Sequence, residues 1–163
     1  MSNPEFLQGL LGQERGLFRK VVEAVTEDGL EYRPEPRSRC ARELIEHLIG
    51  HNLNLVELLE SGVIHHRNHV PFGSLEEGAA RLDDSFVAVI DRLGSVDEGR
   101  WQGPGRFYVG KALVIDGSCQ QLAWMMFLDS VHHRGQLTTY LRPMGSKVPS
   151  IYGPSADAPM DAH

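Results

Sequence analysis

Residues 118–143, SCQQLAWMMFLDSVHHRGQLTTYLRP, decide the fold. No proline interrupts the run before Pro143, and its apolar residues recur at helical steps, which predicts one helix from Ser118 to Arg142, roughly 25 residues and about 37 Å long at helical rise. Along one stripe of alternating four- and three-residue steps it reads Leu122, Met126, Asp129, His133, Gln136, Tyr140, so an apolar seam turns polar over its C-terminal half. Burying such groups is costly unless something pairs with them. A helix of this length also needs neighbours of similar length to cover it.

The rest of the chain supplies them. Asn3 and Pro4 read as an N-cap and first turn, followed by Leu7, Leu10, Leu11, Leu17, Phe18, Val21, Val22 and Val25 at helical spacing, which predicts a first helix over Pro4 to Val25. Gly29, Pro34 and Pro36 mark a loop. Leu44, Ile45, Leu48, Leu55, Val56 and Leu59 then restore the period for a second helix over Cys40 to Glu60. Ser74 and Glu77 fit a capping box ahead of Ala79, Leu82, Phe86, Val89, Ile90 and Leu93, with Gly94 as the residue that ends the third helix. Between that helix and the last, residues 106–109 and 112–115 are β-prone runs around Gly110 and Lys111, the pattern of a short hairpin. The expected fold class is all-α: a four-helix bundle of the up-down type with a short β-hairpin or irregular insertion before the last helix. Residues 1–155 form one domain in this reading, and 156–163 a mobile C-terminal tail.

Composition narrows the functional classes. With 163 residues, 41% hydrophobic and 23% charged, the chain can bury one continuous core. A net charge of −6 with no segregated basic face argues against nucleic acid as a partner. No apolar run approaches the ~20 residues needed to cross a bilayer, so no membrane partner is expected. The start of the chain lacks a basic region and an apolar run, so it does not read as a secretory signal, and a cytoplasmic location is the default. Two cysteines, Cys40 and Cys119, are too few and too far apart for a disulfide framework or a CxxC metal site.

The chemistry should lie on inward faces, where bundles build their metal and cofactor sites. Asp129 and His133 are four residues apart, which places both on one helix face, one turn from each other, the spacing by which a helix offers two ligands to one ion. His47 shares a stripe of the second helix with Leu44, His51, Asn54 and Leu58, and its imidazole would complete a set of two histidines and one carboxylate. Such a set with open positions suits Zn²⁺, Fe²⁺ or Ni²⁺. From these residues alone an exposed Asp-His pair and satisfied core histidines are the readings that come first. His51, one turn beyond His47, ranks behind it as an alternative ligand or a supporting partner. His65, His66 and His69 read as a polar turn before Pro71. His132 points about 100° away from His133, toward an interface or the tail. Cys119, near the start of the last helix, reads as a small buried apolar residue ahead of a reactive thiol. Gln136, Arg134 and Tyr140 follow the ligand pair and are candidates for orienting substrate or supporting the ligands.

A family resemblance adds to this. The run from Asp129 to Arg142, followed by Gly145 and by Val148-Pro149-Ser150-Ile151-Tyr152-Gly153-Pro154-Ser155, resembles the C-terminal signature of DinB-like (DinB/YfiT) proteins, and Ala41 to Leu48 resembles the family's first histidine region. The resemblance implies a four-helix bundle, usually a homodimer, that holds a divalent metal ion (Zn, Ni or Fe) with one residue of the second helix and two spaced i, i+4 on the last. Carried over, these are His47, Asp129 and His133. The commoner family pattern has histidine where this chain has Asp129. Relatives include thiol-dependent transferases and isomerases that use a low-molecular-weight thiol, and members described as metal-dependent hydrolases. The implied function is therefore a metal-dependent enzyme of the thiol transferase or hydrolase kind acting on a small-molecule substrate, with a metal-bound thiolate or hydroxide as nucleophile. The alternative is a non-catalytic metal-binding structural or stress-response dimer.

Overall fold

The computed structural model describes residues 2–159. Its elements run α1 (Asn3–Glu23), a 3-10 turn (Glu27–Gly29), α2 (Ala41–Ser61), β1 (Val63–His65), α3 (Leu75–Ser95), α4 (Glu98–Gln102), β2 (Pro104–Val109), β3 (Ala112–Ser118) and α5 (Cys119–Tyr140). The four long helices form the expected bundle, with the hairpin β2–β3 leading directly into α5. Both α1 and α2 pack against α3 and α5. Successive helices α1 and α2 therefore occupy opposite corners, and residues 24–40 carry the chain across the end of the bundle. No helix of the described residues is long and apolar enough to cross a membrane.

Local chemistry sets the helix ends, with small shifts from expectation. The N-cap of α1 is Ser2 and not Asn3, because Ser2 and Glu5 satisfy each other's backbone N–H groups in a capping box. Asn3 instead accepts a hydrogen bond from Trp124 Nε1 at 3.0 Å. Ser74 caps α3 as expected, but Glu77 turns to the N–H of Gly73 at 2.6 Å, and the helix runs through Gly94 to Ser95. Ser118 ends β3 and caps α5. Beyond Pro143, Asp157 accepts from Arg142 and from the N–H of Val148, both at 2.9 Å. The predicted tail, 156–163, lies outside the described residues from 160 onward.

One strand goes beyond the expectation. Gly62 ends α2 in the left-handed region at φ 79°, where a side chain would also run into Arg100 and the carbonyl of Pro104. The chain then enters β1, which pairs in parallel with β2, giving a three-stranded sheet in the order β1-β2-β3. His65, expected in a loop, ends this strand, and the N–H of His66 donates to Tyr108 O at 2.9 Å.

Helix α2 is the centre of the molecule. Buried on almost every side, it carries Glu46, His47, His51, Asn52 and Asn54 among its buried residues. The connection after β1 lies so close to it that a Cβ on Gly50 would sit 2.4 Å from Arg67 O. In an open helix Gly→Ala stabilises by about 0.5–1 kcal/mol. Here Gly50→Ala has to displace backbone, and urea denaturation should show a loss of ~1–3 kcal/mol. A gain in stability would contradict the close approach.

Candidate metal centre

Two helices build the site. On α2, residues 47 and 51 are one turn apart on the face toward α5, and on α5 residues 129 and 133 repeat that spacing toward α2. The result is a cluster of His47, His51, Asp129 and His133 in which one donor atom from each lies within 4.8 Å of all the others. The three imidazoles are buried. Asp129 is 44% exposed and opens the cluster to solvent.

Three of the donor spacings are close to those of ligands that share a cation. His47 Nε2 and His133 Nε2 are 3.1 Å apart, His51 Nε2 and Asp129 Oδ2 are 3.4 Å apart, and His133 Nε2 and Asp129 Oδ1 are 3.5 Å apart. Ligands at Zn²⁺ bond lengths on tetrahedral corners stand about 3.3–3.4 Å from one another.

Proton placement agrees with the spacing. His133 Nδ1 lies 2.8 Å from Gln136 Oε1, an acceptor, so the ring proton is held there and Nε2 is left a lone pair. Ser130 donates its hydroxyl proton to Met126 O at 2.9 Å and accepts from His51 Nδ1 at 3.1 Å, which leaves His51 Nε2 a lone pair as well. Two lone pairs and a carboxylate thus face one point. His47 Nδ1 is buried without a partner, so its ring has no protein group to fix the proton away from Nε2.

Electrostatics fit the same picture. Burial first, then the neighbouring His51, Arg39, His133 and His66, push His47 down to about 3. Burial likewise lowers His51 to about 4, against an opposing pull from Asp129. The neighbouring His133, whose Nε2 lies 3.5 Å away, outweighs partial burial and holds Asp129 at about 2. Near neutral pH the imidazoles of His47 and His51 are uncharged and the carboxylate is ionised, the state in which each binds a metal.

The other residues singled out by sequence disperse. Gln136 touches His133. Tyr140 donates to Arg39 O at 3.0 Å, and Arg134 turns about 100° away from His133 around α5, where it pairs with buried Glu14. The three histidines of residues 65–69 do not converge: His65 meets Glu57 Oε1 at 2.6 Å, His69 meets Glu46 Oε2 at 3.0 Å, and only His66 approaches the cluster, its ring centroid 5.9 Å from His47. His132 is exposed. Cys119 is buried, and that burial raises its thiol to about 11, as expected of an inert core residue.

The comparisons point the same way as the fold. The model of the DinB family matches residues 1–160. The chain belongs to the DinB family. A crystal structure of a DinB-like protein, YjoA of Bacillus subtilis, is similar at a TM-score of 0.68 and 17% identity over 84% of this chain and 90% of that one, a likeness of fold. No curated protein matches. Within this DinB chain the cluster holds a fourth donor, His51, which sequence reading ranked behind His47; its signal was the i, i+4 repeat of histidine on α2.

The lowered histidines make the metal-free protein sensitive to acid. Both titrate near 6.5 in the unfolded chain and about 3 and about 4 when folded, so between those limits the unfolded state binds more protons and stability falls with falling pH. Asp129 contributes nothing there, since its own shift acts below its ordinary 3.8. Urea denaturation of chelator-treated protein between pH 6.5 and 4.5 should lose ~1.4 kcal/mol per pH unit for each such histidine that titrates in the unfolded chain. His51→Gln should remove about one proton from that slope. A flat profile would show that the rings are not buried as neutral groups.

Proposed function

We propose that the cluster binds one divalent metal ion through His47, Asp129 and His133, with His51 as a further donor, and that the protein is a metal-dependent enzyme of the thiol transferase or hydrolase kind. One observation carries this reading: the imidazole protons of His51 and His133 are committed to Ser130 and Gln136, so their Nε2 lone pairs and the Asp129 carboxylate converge within 4.8 Å of one another. A divalent cation satisfies all of these acceptors at once, whereas a proton on His47 Nε2, 3.1 Å from His133 Nε2, satisfies one.

When bound, such an ion supplies a Lewis acid that turns a thiol or water into a nucleophile at neutral pH. The residues of this chain do the rest. Gln136 and Ser130 fix the rotation and tautomer of His133 and His51. Asp129, the most exposed member of the set, faces the side from which a small-molecule substrate arrives. Phe6 and Leu128, 53% and 60% exposed, flank Trp124 on α1 and α5, an apolar patch that a second copy would cover in a homodimer.

The presence of four protein donors favours one alternative, an ion that only ties α2 to α5 with its coordination closed. Cobalt substitution separates the two: a thiolate-to-cobalt absorption band on adding 2-mercaptoethanol requires a position open to substrate.

Elemental analysis of untagged protein should find one divalent ion per chain, lost in His133→Ala and in Asp129→Ala. Gln136→Leu should keep the fold and weaken metal affinity by about 10–100-fold, measured by competition with a chromogenic chelator. Wild-type protein that holds no metal after reconstitution with Zn²⁺, Ni²⁺ and Fe²⁺ would overturn the reading.

A further inference from the structure

Each buried imidazole of the cluster has a second nitrogen to be held, and in one of the three it is not. His133 Nδ1 lies 2.8 Å from Gln136 Oε1, and His51 Nδ1 lies 3.1 Å from Ser130 Oγ. His47 Nδ1 is buried and meets no partner. Among the described residues four buried side-chain polar atoms are orphaned in this way: His47 Nδ1, His66 Nδ1, Asn54 Nδ2 and Trp101 Nε1. The amide nitrogen of Asn54 and the indole of Trp101 only donate, so the two imidazole nitrogens are the only atoms of the four that can accept. Burying such atoms unpaired destabilises a fold.

The neighbourhood of His47 narrows the partner. Three imidazole rings stand against it, those of His51, His133 and His66, with centroids 4.2, 4.6 and 5.9 Å away. The first two have both nitrogens engaged, Nδ1 with Ser130 or Gln136 and Nε2 toward the cluster. His66 alone brings a buried, unclaimed nitrogen, and the planes of the two rings stand at 86°. Imidazoles joined by an N–H···N bond stand about 5–5.5 Å apart between centroids, so roughly half an ångström of approach closes the pair. The backbone that carries His66 is fixed on both sides of it. Its own N–H donates to Tyr108 O at 2.9 Å, and the N–H of Arg67 donates to Asn54 Oδ1 of α2 at 3.1 Å. Small rotations of the side chain are left to make the adjustment.

We infer that His66 is the positioning residue for His47, as Gln136 is for His133 and Ser130 for His51, and that a proton passes between the two rings when His47 becomes a ligand. The inference rests on the metal-dependent reading above. In the metal-free protein His133 keeps its proton on Nδ1, so the 3.1 Å contact between His47 Nε2 and His133 Nε2 requires the His47 proton on Nε2. His47 Nδ1 is then a lone pair, and His66 meets it as the Nδ1–H tautomer. Once His47 Nε2 is given to an ion, its proton leaves to solvent. The shared proton passes from His66 Nδ1 to His47 Nδ1, and His66 Nε2 takes up one proton from water. Both rings stay neutral and the number of bound protons is unchanged. Nδ1 of His66 is enclosed while the residue as a whole is partly exposed, which leaves Nε2 as the nitrogen open to water. Occupancy of a buried centre thereby sets whether a surface nitrogen accepts or donates.

Two-bond nitrogen–proton NMR of the full chain, labelled at histidine, reads the tautomer of each ring, and the His66 signals are assigned by their loss in His66→Asn. In mildly alkaline buffer, chelator-treated protein should show His66 as the Nδ1–H form and His47 as the Nε2–H form, and one equivalent of Zn²⁺ should invert both. A His66 Nδ1 without a proton in the chelator-treated protein, accepting from Asn54 Nδ2 instead, overturns the inference. So does a His66 tautomer that ignores zinc while His47 responds. Affinity supplies a second arm: His66→Leu should weaken zinc binding by about 10–100-fold in competition with a chromogenic chelator, and His66→Asn, whose Oδ1 can accept from His47 Nδ1, should recover most of it. Equal weakening by both variants overturns the positioning role and leaves the metal reading standing. If the protein takes up no zinc, the metal reading falls, and the chelator-treated protein still decides the pairing: the Nδ1–H form of His66 retains it and the Nε2–H form removes it.

Discussion

Everything in this molecule is arranged around one awkward fact, that three imidazoles and a carboxylate are brought together between α2 and α5, with the Nε2 lone pairs of His51 and His133 turned toward the same point. Polar atoms so enclosed destabilise a bundle unless they are satisfied. The surroundings take up what they can: Gln136 accepts from His133, Ser130 accepts from His51, and hydrophobic residues wall off the rest. What they leave over is a set of donor atoms within 4.8 Å of one another.

The rotation of α5 is set from its other side. Residues 133 and 134 point about 100° apart, so fixing one fixes the other. Arg134 is buried against Glu14 of α1, donates to Tyr152 at 2.6 Å, and lies over the rings of Phe18 and Tyr152 at 4.6 and 5.0 Å. Removing either charge would strand the other in the core, so the pair tolerates little displacement. This places the C-terminal segment, through Tyr152, among the supports of His133, and it accounts for why Arg134 does not reach the cluster it follows in sequence.

The small sheet plays the matching part for α2. Gly62 reverses the chain at the helix end, β1 docks on β2, and the following residues return along α2 over Gly50. That path brings His66 to His47 and sets Asn68 and His69 where they can steady Arg39. One neighbour of the cluster, His66, thus comes from a connection between elements, while the cluster itself is made by the helices.

Much of this was legible in the amino-acid order. Helical period, caps and the stop at Pro143 specify the four long helices, because those signals act within a turn or two of the chain. The i, i+4 pairs 47/51 and 129/133 share a helix face by local geometry, and the change from apolar to polar along α5 marks where chemistry interrupts the core. Tertiary structure decided the rest. Whether His51 joins the cluster, whether Arg134 faces metal or Glu14, that α1 and α2 stand at opposite corners, and that Val63–His65 becomes a strand all depend on partners tens of residues away. A periodic pattern says which residues lie on one side of a helix; only packing against another helix says what that side meets.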